Sequence, residues 1–372
     1  MLNRLDRYFL TQLFAPFGFF ALVIAGILWL AQALPLVDRV IESGQSGIVF
    51  LEITSYLLPR VLMVALPIAA LSAALYALNR LYTESELVVM MTAGLSPFAL
   101  ARPVAIFGLI ITALMMVITL YLVPASQTQL GQRLADFRSD FAKTLVREGQ
   151  FIHPVDGLTL FIRDTSKQGE MAGLFLNDQR DDATQVTYTA QRALLLQEGE
   201  NIRIVMFDGN IQRLPTGSDQ LSTLNFEQFS YDIGALLAAP VNRNRSPFAR
   251  FVPELIWPDA EMRASEKYDR GDYLAEANHK LVMPLSALVL PLLALGAILA
   301  GGFRRGGFMG RVMGAVGIAL MVQTGVGVSK SMVQGNGDLF WIMYLPPLLG
   351  LITALLLLYK AGRVPGQRRG MA

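Results

Sequence analysis

Arg80-Leu-Tyr-Thr-Glu-Ser-Glu-Leu-Val-Val-Met-Met-Thr-Ala-Gly-Leu-Ser-Pro97 lies between two long apolar runs, so it is the loop of a membrane protein. It nevertheless reads as a short helix with its own ends. Thr83-Glu84-Ser85-Glu86 fits a capping box, with the Thr83 hydroxyl on an early N–H and the Glu86 carboxylate reaching back. Both carboxylates then fall in the first turn, where the helix dipole favours negative charge. Leu87, Val88, Met90 and Met91 supply an apolar side, and Gly94 a C-terminal stop. Ser96-Pro97 opens the next helix, as cap and first helical residue. Two acidic side chains on a short helix wedged between spans suit docking to a cytosolic partner. The plainer reading is that Glu84 and Glu86 only cap and solubilise a loop, and the pattern alone leaves both open.

Composition sets the surroundings of that loop. The 372-residue chain is 53% apolar and 16% charged, too apolar for an ordinary soluble protein. With 31 basic and 29 acidic residues it gives no global argument for nucleic-acid binding. The absence of Cys excludes disulfides, thiolate metal sites and Cys nucleophiles. His153 and His279 are too far apart in sequence to suggest a His-rich metal site.

Working outward, Met1 to Thr11 is a basic interfacial start with Arg4 and Arg7, and about 15–35 is the first span. The second runs over about 50–78; Pro59 and Pro67 are expected to kink it, and Ala69, Ala73 and Ala77, with Ala70 and Ala74, form a ladder that admits a close neighbour. About 98–123 is the third. Residues 124–276 are polar and β-patterned, with candidate strands at 158–163, 173–177, 186–196, 202–207, 210–214 and 221–229 between Asp-Gly, Glu-Gly and Pro-Thr-Gly turns. Many short strands without long helices suggest a sandwich, jelly roll or barrel fragment. Helices at about 127–147 and 260–280 lead out and back. Three spans follow at 281–300, 308–329 and 339–359, the fifth rich in glycine (Gly310, Gly314, Gly317, Gly325, Gly327) and read as packing tightly ahead of the alternative that it bends and slides, after a glycine turn carrying Arg304 and Arg305. The fold class is thus a polytopic α-helical membrane protein, three spans plus three, with an inserted all-β domain. Its parts are 1–123, 124–276 and 277–372.

Lys and Arg in short loops set orientation. Arg4, Arg7, Arg80, Arg102, Arg304, Arg305, Arg311, Lys360, Arg363, Arg368 and Arg369 share one side if the spans alternate. That side, with both termini, is expected to be cytosolic, and the β domain to lie outside the inner membrane, in the periplasm of a Gram-negative cell.

No catalytic constellation emerges. Gly325-Val-Gly-Val-Ser-Lys-Ser331 lacks the second Gly before the Lys of a phosphate loop and sits inside a span. The chain is therefore expected to hydrolyse no ATP itself and to hold no cofactor or metal. Arg60 and Lys330 are the basic residues near outer span ends; Arg60 either snorkels or faces an anionic substrate. Two classes survive: a transporter subunit driven by a cytosolic ATPase through the loop helix, and a membrane-anchored scaffold whose β domain does the binding. A secondary transporter fits less well, because its coupling-ion site needs polar residues at mid-membrane.

The stretch from Arg80 to Ser96 resembles the lipopolysaccharide export permeases, the LptF/LptG family, and is most similar to the LptF branch. Arg7-Tyr8, Leu66-Pro67, Gly149-Gln150-Phe151 and Ala275-Glu276-Ala277-Asn278 add weaker likenesses along the full chain. The resemblance implies an ABC-exporter permease in which an LptF-like and an LptG-like chain enclose a cavity above a dimer of the LptB-like ATPase, which binds the ATP. It implies a jelly-roll domain that hands lipopolysaccharide to an LptC-like protein. It also implies that the loop helix is the coupling helix, with Glu84 at the ATPase-contacting position and Arg80, Ser85 and Glu86 beside it. Arg39 and Arg60 are the candidates for a basic rim facing the lipid phosphates, although a denser basic cluster after the first span is the family pattern, and here Arg39 stands between Asp38 and Glu42.

Overall fold

A computed structural model describes residues 4–42, 47–144, 149–155, 157–166, 170–180, 184–198, 201–215, 221–232, 245–263, 267–301 and 308–363. The turn with Arg304 and Arg305 and the basic tail with Arg368 and Arg369 lie outside these. The chain divides into two units, one of Met1–Leu130 with Asn244–Ala372 and one of Gly131–Arg243.

Among the described residues six helical stretches are long and apolar enough to cross a membrane: Arg4–Pro35, Leu58–Thr83, Pro97–Arg133, Arg270–Ala300, Met309–Gly335 and Gly337–Gly362. The first belongs to α1 (Arg4–Glu42). The second is broken where the sequence suggested one run: α2 (Gly47–Ser55) ends in a turn, and α3 (Leu58–Thr83) starts afresh. Pro59 therefore does not kink a helix. It sits in the first turn of α3, where its missing N–H would have had no partner anyway. Pro67 does lie within α3.

The alanine ladder is fully used, with Ala69, Ala70, Ala73 and Ala74 at 0% exposure. They pack in the main apolar cluster with Phe9, Leu13, Leu87, Phe107 and Leu293. The third span, α5 (Pro97–Val117), loosens into a π-helical turn over Ile118–Leu122 before α6 (Val123–Thr144). Its Gly108 touches the fourth span; a Cβ there would stand 2.9 Å from the Leu288 Cα. The return segment holds α7 (Val252–Ile256) and α8 (Ala260–Arg263). The fourth span joins α9 (Arg270–Val282), closed at its N-terminus by an Asp269–Asp272 capping box, to α10 (Ser286–Ala300). The fifth and sixth contain α11 (Phe308–Gly335) and α12 (Leu345–Gly362).

The fifth-span glycines differ from the expectation of tight packing. Gly325 meets Pro346, but among the described residues a Cβ at Gly310, Gly314, Gly317 or Gly327 would meet nothing within 4 Å. Within this chain those glycines form an open stripe.

The second unit carries one six-stranded antiparallel sheet in sequential order: β1 (Phe151–Val155), β2 (Leu158–Thr165), β3 (Glu170–Asp178), β4 (Thr184–Glu198), β5 (Asn201–Pro215) and β6 (Ser222–Asp232). It is the expected all-β domain; the described strands make an antiparallel meander rather than two interlocked Greek keys. The candidate strands 202–207 and 210–214 are one strand. Asp208-Gly209, read as a turn, instead marks a bend inside β5, where Asp208 has φ 54°. Gly173, with φ 67°, plays the same part in β3. Gly173 and Gln191 fall between the pairs Ala172–Arg192 and Leu174–Ala190, and Gln191 and Asp208 between Arg192–Phe207 and Ala190–Gly209, so the irregular positions of three strands line up in one row. Buried residues change parity across that row: Met171 against Leu174 and Leu176 in β3, Ala193 against Ala190 in β4. The sheet thus bends while one face stays apolar.

At one end of that face Arg180 donates to both oxygens of Asp178, at 2.8 and 2.7 Å, and the Tyr231 hydroxyl donates to Asp178 Oδ2 at 2.8 Å. The Arg180 guanidinium is the main cause holding the Asp178 carboxyl down to about 2, while burial and the adjacent carboxylate raise the Tyr231 phenol. This cluster ties the ends of β3 and β6 together.

Candidate functional site

The loop helix is real, and its start is built differently from the capping box read in the sequence. α3 continues through Thr83, so the Thr83 hydroxyl donates back to the carbonyls of Asn79 (3.1 Å) and Arg80 (2.9 Å) instead of capping a new helix. Glu84 closes α3, its N–H donating to the Arg80 carbonyl at 2.9 Å. Ser85 then turns the chain with φ 63°, a left-handed conformation that costs a non-glycine residue about 1 kcal/mol or more, and its side chain makes no cap bond. The short helix α4 (Glu86–Thr92) follows.

Each predicted acidic residue has one partner. Arg80 Nε donates to Glu84 Oε1 at 2.9 Å, one helical turn away, with both side chains about half exposed. An exposed pair of this kind adds little stability; it holds the carboxylate upright at the end of α3. Glu86 is taken up internally, its Oε2 accepting the Tyr8 hydroxyl at 2.7 Å. Leu87 is fully buried in the main cluster beside Phe9, Leu13 and Leu81. α4 is therefore tied to α1 through Glu86 and packed into the main cluster through Leu87, while Glu84, Ser85, Val89, Thr92 and Ala93 are exposed. Val89, at 63% exposure, is an apolar side chain in the middle of that outward face.

The far side is equally well fixed. Gly94 has φ 93°, and the Leu95 N–H donates to the Met90 carbonyl at 3.1 Å. Ser96 caps α5 as expected, accepting from the Ala99 N–H at 3.2 Å, with Pro97 first in the helix. Arg102 reaches Asp6 at 3.8 Å, and the Arg311 guanidinium stands 5.7 Å from the centre of the Tyr82 ring. The outward patch on α4 is thus a small, braced platform with one acidic and one apolar side chain at its centre.

The substrate-path candidates are not brought together there. Arg60 is at the opposite end of α3, twenty residues from Arg80 and so about 30 Å away along the helix, the thickness of a bilayer core. Its guanidinium lies 5.2 Å over the Phe248 ring. Arg39 falls near the end of α1, and its side chain lies outside the described residues.

Sequence reasoning missed two contributors. Tyr8 is 78 positions from its partner Glu86, and nothing local marks the pairing. Lys280 is fully buried although it had read as part of a charged return helix; the signal was its place directly before the apolar run of the fourth span.

Residues 7–360 match the family described as lipopolysaccharide export system permease LptF/LptG. The chain is also similar to an uncharacterized protein, RP871, of Rickettsia prowazekii (strain Madrid E): 25% identical over 297 residues, which cover 79% of this chain and 81% of that protein.

Proposed function

The chain belongs to the lipopolysaccharide export permease family LptF/LptG, and on that premise we propose that it works as an ATPase-driven subunit whose α4 platform receives the push. As a family member it is a multi-pass inner-membrane transport permease that acts within a lipopolysaccharide transport complex. The proposal adds the mechanism. A separate cytosolic ATPase dimer of the LptB type binds and hydrolyses the ATP. Glu84, held up by Arg80, and Val89 form the docking contact, an apolar anchor beside a charge. Ser85 sets the sharp turn, and Glu86 with Tyr8 passes displacement to the first span.

The observation that carries this reading is the division of labour between the two carboxylates. A loop that needed only solubility has no reason to bury Leu87, tie Glu86 to Tyr8 and leave Glu84 beside an exposed valine. The loop side is then cytosolic and the β unit periplasmic, in keeping with the Lys and Arg bias. An LptG-like chain completes the cavity, and an LptC-like protein accepts the lipid at the β unit; the chain itself takes the LptF role. Arg39 and Arg60 remain proposed contacts for the lipid phosphates, with Arg60 reaching them beside the Phe248 ring.

The test is co-purification followed by reconstitution. Pull-down from membranes should bring an ATPase subunit with the chain, and vesicles holding the complex should export lipopolysaccharide on ATP addition. A complex without an ATPase would favour the scaffold reading.

A further inference from the structure

A fully buried lysine needs an account. Lys280 is at 0% exposure, near the end of α9. Its ammonium donates to the backbone carbonyls of Phe248, at 3.0 Å, and of Arg250. It also stands 5.9 Å from the centre of the Phe248 ring. Burying an ammonium is costly unless every donor is used. Here two of its three donors go to main-chain oxygens of residues 248 and 250, the segment that returns from the β unit, and the Phe248 ring stands on the same charge. With no exposed surface, Lys280 is not placed to touch a transported lipid. A compact ammonium suits two converging carbonyls better than a planar guanidinium does.

The same point gathers three spans. The Lys280 carbonyl accepts the Thr119 hydroxyl at 3.0 Å, and Thr119 stands in the π-helical turn of the third span. Arg60 of the second span covers the Phe248 ring. The outgoing segment joins in: Thr128 donates to the Ala249 carbonyl at 3.3 Å, Arg245 donates to the Thr128 hydroxyl at 3.4 Å, and the Tyr121 and Phe251 rings lie 6.2 Å apart. A π-helical turn is a place where a span changes pitch at small cost.

We propose that Lys280 is a positioning residue for transport: it fastens the segment at 247–251 to the second, third and fourth spans, so that rearrangement of those spans is carried into both segments bearing the β unit. The role in transport rests on the function proposed above; the fastening itself does not.

The test uses the full complex, in detergent for hydrogen exchange and in vesicles for lipopolysaccharide release and ATP turnover. Lys280→Met should raise exchange in a peptide covering 245–251 by about tenfold or more, the effect of losing charge-assisted hydrogen bonds. ATP hydrolysis should continue while lipopolysaccharide released per ATP falls at least about fivefold. Lys280→Arg should restore part of both. Thr119→Val, nearly isosteric, should lower release per ATP by cutting only the link to the third span, and it stands in if Lys280→Met does not accumulate. Unchanged exchange in Lys280→Met overturns the fastening, whatever the complex carries. Raised exchange with wild-type release per ATP overturns the positioning role. A wild-type complex that releases no lipopolysaccharide sinks the transport reading instead, and the exchange measurement still decides the clamp.

Discussion

Charge reversal at Glu84 separates a docking residue from a solubilising one. Among the described residues the Glu84 carboxylate pairs with Arg80, at 2.9 Å, and both side chains are about half exposed. Replacing it with Ala or Lys therefore leaves Leu87 buried, the Tyr8–Glu86 hydrogen bond intact and the melting temperature of the chain close to wild type. Across an interface the same carboxylate counts for more, because its partner is left buried and unpaired when it is removed: about 2 kcal/mol or more, hence about thirtyfold in affinity for the ATPase. Glu84→Lys adds repulsion to Arg80 and, on the proposed docking, to any cation that Glu84 meets on the ATPase. The expected result in reconstituted vesicles is a stable permease that has lost ATPase binding or lipid export, with Glu84→Ala intermediate. The Arg80→Ala variant should be milder than either, since it frees the carboxylate without removing it. Full export by Glu84→Lys at wild-type expression would refute the coupling assignment.

Other outcomes follow from the same geometry. Tyr8→Phe removes one hydrogen bond to a carboxylate, so amide exchange in residues 86–92 should rise by about threefold to tenfold while the spans stay protected. Ser85→Val forces a β-branched side chain into φ 63° and should destabilise the first unit by about 1–2 kcal/mol in denaturant unfolding, whereas Ser85→Gly should be neutral or better. Gly108→Val collides with Leu288 and should destabilise by about 1–3 kcal/mol; Gly317→Val meets open space, so any loss it causes should appear in complex assembly rather than in the stability of the chain. Asp178 is held at about 2 against an unfolded value of about 3.9, so its contribution is complete above about pH 4 and fades as pH falls towards 2. Thermal unfolding of the β unit within the full chain should show Asp178→Asn less stable than wild type at pH 7, and the gap closing near pH 2.

The parts legible in the sequence are those fixed by solvent. Six apolar runs and a polar β-patterned insert follow from where backbone groups can find partners. The loop helix stood out because it is polar-ended between apolar neighbours. Its details were lost to competition between local rules. A Thr in the last turn of a helix bonds back to earlier carbonyls, and that pattern won over the capping box at Thr83. Asp-Gly reads as a hairpin turn, but β5 continues through it because β4 pairs on both sides of the bend, Arg192 with Phe207 and Ala190 with Gly209. Pro59 reads as a kink inside a long apolar run, but the turn after α2 makes it the first-turn proline of α3 instead. Tyr8–Glu86 is a tertiary pair with no local signature, and for Lys280 the sequence signals only its place before an apolar run, not its partners at 248 and 250.

Those two pairs change what α3 is for. Its Arg80 end supports α4, and its Arg60 end lies on Phe248, in the segment that Lys280 fastens. Between them stand the buried alanines, which let neighbouring spans approach closely and leave little room for independent bending. A helix about 30 Å long that tilts by about 10° moves one end by about 5 Å relative to the other, enough to shift a contact by a full helical turn. On the proposed coupling, displacement at the platform and displacement at the return segment are two ends of one motion. On this view Glu84→Lys and Lys280→Met should fail alike in lipid delivery but differ upstream: the first loses the ATPase, and the second keeps it turning over without delivery.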